Sequence, residues 1–479
     1  MTYFLYPLRI YYNLIIFSVL FISCSNNESV ESNNPVENPI TYKTSSIPSS
    51  DQRQGAIEKG KEYLFSGDYM SSGIPYDAYI FANGEDNFNI LNRTGDNAVI
   101  SYDYTAVTTP NGVRVVAPNC LNCHSAKIND TYIIGLGNHN SDFTTNRAAT
   151  IPLLNLAINQ LYGANSMEAE AAELFGKSIA AIGPKTVAKS KGVSVANKIA
   201  EVLISHRDKN TLQWLDEPNI TLSNEVIPTD VPAWWLLKKK NALFYNAMGR
   251  KDFCKSFIGA SLLTIKDVDK AIEVDKNMKD VLAYIRSLDA PEYPFEINDS
   301  LAEEGKVLFN TNCVTCHGTY DDFPSYPNLL VSLKTINTDP ELSNHYTIAS
   351  TNNSYFLDWF NNGWFGSGED GLNLVPQGGY IAPPLDGIWA SAPYFHNASV
   401  PTIEDVLNSK NRPTFWSRTF NDTDYNKNKL GWNYKKETSQ SNINTYDTTL
   451  VGYGNEGHTF GDNLTGNERK ALLEYLKTL

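Results

Sequence analysis

Cys313-Val314-Thr315-Cys316-His317 decides how this chain is read. Two thiols separated by two residues, with an imidazole directly after the second, is the spacing that attaches c-type haem. Each thiol adds to a vinyl group, and the adjacent imidazole reaches the iron. Neither a zinc site nor a disulfide needs a histidine in that place. Cys120-Leu121-Asn122-Cys123-His124 repeats the pattern upstream. The expected cofactors are therefore two covalently bound haem c groups, on Cys120, Cys123, Cys313 and Cys316, with His124 and His317 as iron ligands.

Other segments repeat with the motifs. Glu58-Lys59-Gly60-Lys61-Glu62-Tyr63-Leu64-Phe65 is similar to Glu303-Glu304-Gly305-Lys306-Val307-Leu308-Phe309. Val281-Leu282-Ala283-Tyr284-Ile285-Arg286-Ser287-Leu288 is similar to Leu472-Leu473-Glu474-Tyr475-Leu476-Lys477-Thr478-Leu479. Each half thus has an opening helix, a haem motif and a closing helix in one order. Leu472, Tyr475, Leu476 and Leu479 fall on one helical face. Thr465-Gly466-Asn467-Glu468 predicts a capping box, and Pro291 and Pro294 stop the first closing helix. These features predict a mainly α fold of two tandem cytochrome c domains, residues 51–292 and 293–479, with long loops.

The first half carries an insertion between its opening helix and its haem motif. Val99-Ile100-Ser101-Tyr102 and Val113-Arg114-Val115-Val116 predict a small β-hairpin excursion there. Residues 151–162, 167–182 and 193–205 read as helices, punctuated by Gly163, Gly183 and Gly192. In the second half, residues 319–463 are rich in Gly, Asn, Trp and Tyr and poor in helical periodicity. Loops of that length generally serve function, here covering a haem edge.

The 479 residues carry a net charge of −14. Nucleic-acid binding wants clustered Lys and Arg, so that partner class is excluded; an acidic surface suits a small redox donor protein or cytochrome. Arg9 followed by an apolar stretch over 10–22 reads as an export signal, too short to span a membrane. Phe21-Ile22-Ser23-Cys24 reads as a lipobox. The expectation is a signal peptide over 1–23, lipidation at Cys24, and a polar flexible tether over 24–50. The protein would then be exported and anchored by lipid to a membrane, in the periplasm or on the outer membrane. Cys254 reads as a small buried residue.

Axial ligands set haem potentials over roughly 0.8 V. Of the five methionines none follows Met278, so the second half offers only histidines as partners to His317. His458, in Gly454-Asn455-Glu456-Gly457-His458-Thr459, sits among glycines that let backbone approach a flat ring. His396 is the alternative, and His345 reads as solvated. In the first half His139 follows His124 closely enough to fold over the same iron, while His206 reads as a charge at a helix C-terminus. If no side chain fills that position, the first iron is open to peroxide or oxygen. The paired Trp234 and Trp235 read as core anchors or as an electron relay between haems.

The stretch Ala382-Pro383-Pro384-Leu385-Asp386-Gly387-Ile388-Trp389-Ala390-Ser391-Ala392-Pro393-Tyr394-Phe395-His396-Asn397, with both haem motifs, resembles the bacterial dihaem cytochrome c peroxidase superfamily. Asp230 to Tyr245 and Gly457-His458-Thr459-Phe460-Gly461 resemble its rubber-oxygenase-like branch. The resemblance implies one electron-handling haem and one that meets hydrogen peroxide or dioxygen. It implies His458 as distal ligand of the second haem, a tryptophan between haems at Trp234 or Trp235, and a calcium ion between domains, for which no ligand stands out. Where the peroxidases place a ligating methionine, this chain has Lys410. Three functions follow: a haem c peroxidase-like oxidoreductase, an oxygenase acting on an organic substrate with O2, or a bis-histidine electron carrier.

Overall fold

The four helices picked out by the internal repeat pack as two like pairs. Ile57–Ser66 lies on Val268–Ser287, and Asp299–Asn312 lies on Gly466–Leu476. The repeated glycine explains the close approach. A Cβ on Gly60 would stand 1.8 Å from the Asp280 carbonyl oxygen, and one on Gly305 would stand 2.0 Å from that of Ala471. Only a residue without a side chain allows backbones this near. Around these crossings the apolar faces bury Leu64 and Phe65 in one pair, and Phe309, Leu472 and Leu476 in the other. The predicted capping box is present: Thr465 Oγ1 accepts from the Glu468 N–H, and the Glu468 carboxylate accepts from the Thr465 N–H.

The computed structural model describes residues 43–479. The signal peptide, Cys24 and most of the tether lie outside those residues. Among the described residues no helix is long and apolar enough to cross a membrane.

The architecture corrects the expected fold class. It is mixed rather than mainly α: fourteen α-helices alternate with fifteen short strands in six small sheets among the described residues. Nor does it resolve into two tandem cytochrome c domains. Ser45–Ser46 pairs with Leu329–Ser332, and Gly249–Lys251 pairs with Leu372–Leu374, so sheets stitch the early chain to the late chain. Residues 319–463, expected as loop, supply most of these strands. Each is only two to four residues long, too short to display the alternation by which strands are recognised.

The excursion is a three-stranded sheet, with Arg114–Pro118 between Ile74–Pro75 and Tyr104–Thr108. Its second strand begins at Tyr104, later than Val99, because Ser101 Oγ bonds the Asp103 carboxylate at 2.5 Å and holds a turn there. The helices Ile151–Tyr162 and Met167–Ile182 match expectation. The third starts at Ala196, since Ser194 is held in a bridge to Thr229. Cys254 is fully buried, in the first turn of Phe253–Ser261, whose N-cap is Asp252.

Candidate haem sites

Both CxxCH segments fold as one turn. The His124 N–H donates to the Cys120 carbonyl at 3.1 Å, and the His317 N–H to that of Cys313 at 3.0 Å. Asn119 caps the first turn by accepting from the Leu121 N–H. All four thiols are free of disulfide bonds.

At the second motif, His317 Nδ1 lies 2.8 Å from the Pro383 carbonyl oxygen. A carbonyl only accepts, so Nδ1 carries the proton and Nε2 keeps its lone pair for a metal. Facing it is His458, with ring centroids 6.3 Å apart and planes at 57°. A metal between two imidazole nitrogens at about 2 Å each would set the centroids roughly 6 Å apart. The position of His458 is fixed by its backbone. Its N–H donates to the Ile336 carbonyl at 2.8 Å. Arg412 donates to the carbonyls of Asn455, Gly457 and His458. Gly457 has φ +74°, and a Cβ there would stand 2.2 Å from Asn337 backbone. His458 Nδ1 is buried without a partner. Burial pushes the imidazole down to about 3, with further depression from His317 and Arg412, so it is neutral at pH 7. Two neutral imidazoles facing across this gap, beside two free thiols, fit a haem c.

At the first motif, the His124 ring stacks on Trp234 at 4.6 Å and 21°. Gly135 ties them together: its N–H donates to the His124 carbonyl at 2.9 Å, and its own carbonyl accepts from the Trp234 N–H at 2.8 Å. His124 Nδ1 is buried without a partner, and burial holds the ring down to about 3. Free thiols and a neutral, unpartnered imidazole fit a haem here too. The next loop packs on this turn through Asn138, whose N–H donates to the Cys123 carbonyl at 2.8 Å. His139 is buried against Trp432, with centroids 4.5 Å apart, and its Nε2 has no partner. The ring that touches His124 is that of Trp234, whereas the ring of His139 rests on Trp432.

The tryptophans join the two motifs. Trp234 rests on His124. Trp235, fully buried, donates its indole N–H to the Asp386 carbonyl at 2.8 Å. The segment Pro383-Pro384-Leu385-Asp386 therefore accepts from Trp235 at one end and from His317 at the other.

The remaining histidines serve elsewhere. His396 stacks on Tyr380 at 4.0 Å and neighbours Tyr245, away from His317. His206 stacks on Trp214 at a helix C-terminus. His345, expected in solvent, instead bonds Glu201 at 2.5 Å, and Glu201 also pairs with Lys198 at 2.8 Å. Asp230 was visible only as the head of the resembling segment. Its carboxylate accepts from the Tyr245 hydroxyl at 2.5 Å, and burial pushes it up to about 7. Its N–H donates to the His396 carbonyl, which ties this segment to the one bearing Pro383.

That segment carries the likeness to known proteins. Residues 379–417 match the RoxA-like, cytochrome c-like family. The match contains Pro383, Asp386 and His396, and it supports covalent haem c and a haem-binding oxidoreductase-like function. The chain is also 26% identical over 295 residues to the uncharacterised protein y4iM of Sinorhizobium fredii, covering 52% of this chain and 64% of that protein. It is 40% identical over 111 residues to the uncharacterised protein y4iJ of the same organism, covering 21% of this chain and 18% of that protein. The chain thus spans less than two thirds of the length of the curated relatives it matches.

Proposed function

We propose that this chain is an exported dihaem c-type cytochrome acting as a peroxidase-like oxidoreductase. His317 and His458 would hold one haem for passing electrons, and His124 would hold the other, where hydrogen peroxide would be reduced. The observation that carries this reading is the asymmetry between the motifs: His317 faces a second imidazole, whereas among the described residues no histidine ring is paired with that of His124, whose face is covered by Trp234. A metal with both axial positions filled passes electrons, and an open position is what chemistry requires.

When bound, the haems supply one-electron couples and a site for peroxide. Everything else falls to the chain. Pro383 fixes the His317 tautomer. Arg412 and Gly457 hold the backbone that presents His458. Trp234 on the His124 ring and Trp235 on the Asp386 carbonyl would link the motifs through adjacent residues, and Asp230 with Tyr245 keeps a proton available at neutral pH on the same segment. Reducing hydrogen peroxide to two waters takes two electrons and two protons. A small redox donor protein or cytochrome supplies the electrons, and the protein is held at a membrane by lipid on Cys24.

The likeness of residues 379–417 to the RoxA-like family favours a second reading, an oxygenase acting on an organic substrate with O2 at the His124 iron. Stopped-flow mixing of the pre-reduced holoprotein separates the two. Rapid oxidation by peroxide, with turnover of a reduced cytochrome, supports the peroxidase. Slow oxidation by peroxide, with O2 uptake only when an organic substrate is present, supports the oxygenase. Inertness toward both contradicts either enzyme and leaves an electron carrier.

A further inference from the structure

Arg418 is a buried cation without a salt bridge among the described residues. It is 7% exposed, and its Nη1 has no partner. Nη2 donates to the His139 carbonyl and to Asn140 Oδ1. The guanidinium lies 4.0 Å from the Phe420 ring centroid, and Lys191 Nζ lies 4.7 Å from that same centroid. Two positive groups thus share one aromatic ring. Among the described residues neither forms an ion pair. Asp424, which acts on Arg418 through space, accepts from Thr419 and Asn433. Asp142, which acts on Lys191, accepts from Thr144.

Both cations line one small cleft, with Trp416 and the Asn444 amide beside them and no acidic residue in its wall. Its free volume, about 10 Å³, takes one oxygen-sized atom. A desolvated cation is costly unless paired. Like charges gathered without an acid form a binding site for an anion, and a planar guanidinium with a free N–H prefers a carboxylate.

We propose that Arg418 and Lys191 bind a carboxylate. The first haem is the source within reach. Arg418 holds His139, and neighbouring Asn138 is bonded to the Cys123 carbonyl at 2.8 Å. The site therefore adjoins the turn that carries that haem, whose propionates are carboxylates. A free small carboxylate from solvent is the other source of the same chemistry. The inference rests on haem c at Cys120 and Cys123.

The test uses the holoprotein, with haem content first measured by pyridine haemochrome; loss of one haem in wild type would mark failure of the haem reading itself. Spectroelectrochemistry then follows Arg418→Gln and Lys191→Gln in buffer free of carboxylates. If a propionate is the ligand, both variants lower the midpoint potential of the first haem and leave the second unchanged, Arg418→Gln the more strongly. Lys191 does not touch His139, so its variant separates a carboxylate site from a disturbed histidine. If the ligand is free, potentials stay fixed in that buffer, and acetate titrated calorimetrically binds wild type at least tenfold tighter than either variant. Unchanged potentials together with no acetate binding to wild type would overturn the proposal. Should Arg418→Gln not fold, Lys191→Gln and Arg418→Lys carry the same comparison.

Discussion

The imidazoles of His317 and His458 face each other at 6.3 Å between centroids, though they belong to segments far apart in the chain. Two backbone devices bring this about. Pro383 orients one ring, and the Gly457 turn, clasped by Arg412, presents the other. The pairing depends on neither ring having another hydrogen-bond partner at the facing nitrogen, and burial keeps both rings neutral.

His458→Ala removes that partner. The second haem should convert from low to high spin, seen in EPR and in the optical bands, while haem content stays at the wild-type level. His396→Ala should leave the spectrum unchanged, because its ring stacks on Tyr380 instead.

Gly457→Ala should act at a distance from any ligand atom. The backbone there has φ +74°, and the new Cβ would stand 2.2 Å from Asn337 backbone. Strain of this kind costs roughly 1–3 kcal/mol before the clash is counted. Thermal unfolding should shift downward and the low-spin signal of the second haem should weaken together.

Trp235→Phe leaves the Asp386 carbonyl without its buried donor. The expected cost is about 1–3 kcal/mol in stability, measured by denaturant midpoint. Trp234→Phe should leave stability nearer to wild type but slow electron exchange between haems, by roughly tenfold for each 1.4 kcal/mol added to the barrier. Flash photolysis of the half-reduced protein reads that rate.

Asp230 contributes a pH dependence of definite sign. Burial raises its folded pKa to about 7, above the usual carboxylate value. Between roughly pH 4 and 7 the folded state therefore holds more protons than the unfolded one, and this group's contribution to stability falls as pH rises. The neutral histidines act in the opposite sense, so the group is isolated by difference. Asp230→Asn should remove a decline on the order of a few kcal/mol across that window, measured as wild type minus variant in unfolding free energy.

The two CxxCH turns and the histidine that faces His317 were legible in the sequence, because the thiol spacing and the absence of methionine after Met278 are read directly from the chain. The helix pairs were legible through the repeat, down to Gly60 and Gly305 at the crossings. The mixed sheet architecture was not, since strands as short as Ser45–Ser46 and Leu372–Leu374 are specified by partners distant in sequence, not by local alternation. His345 was misjudged for the same reason: its polar surroundings hide a partner, Glu201, on another helix. Arg418 gave no signal, for a buried arginine is defined by what fails to surround it.

The central claim is that one iron is saturated by two histidines and the other is open. EPR of the oxidised holoprotein measures this directly. Two signals of equal weight are expected, one low-spin from the haem between His317 and His458 and one high-spin from the haem on His124. Two low-spin bis-histidine signals, which would mean that His139 closes the first iron, would contradict the claim.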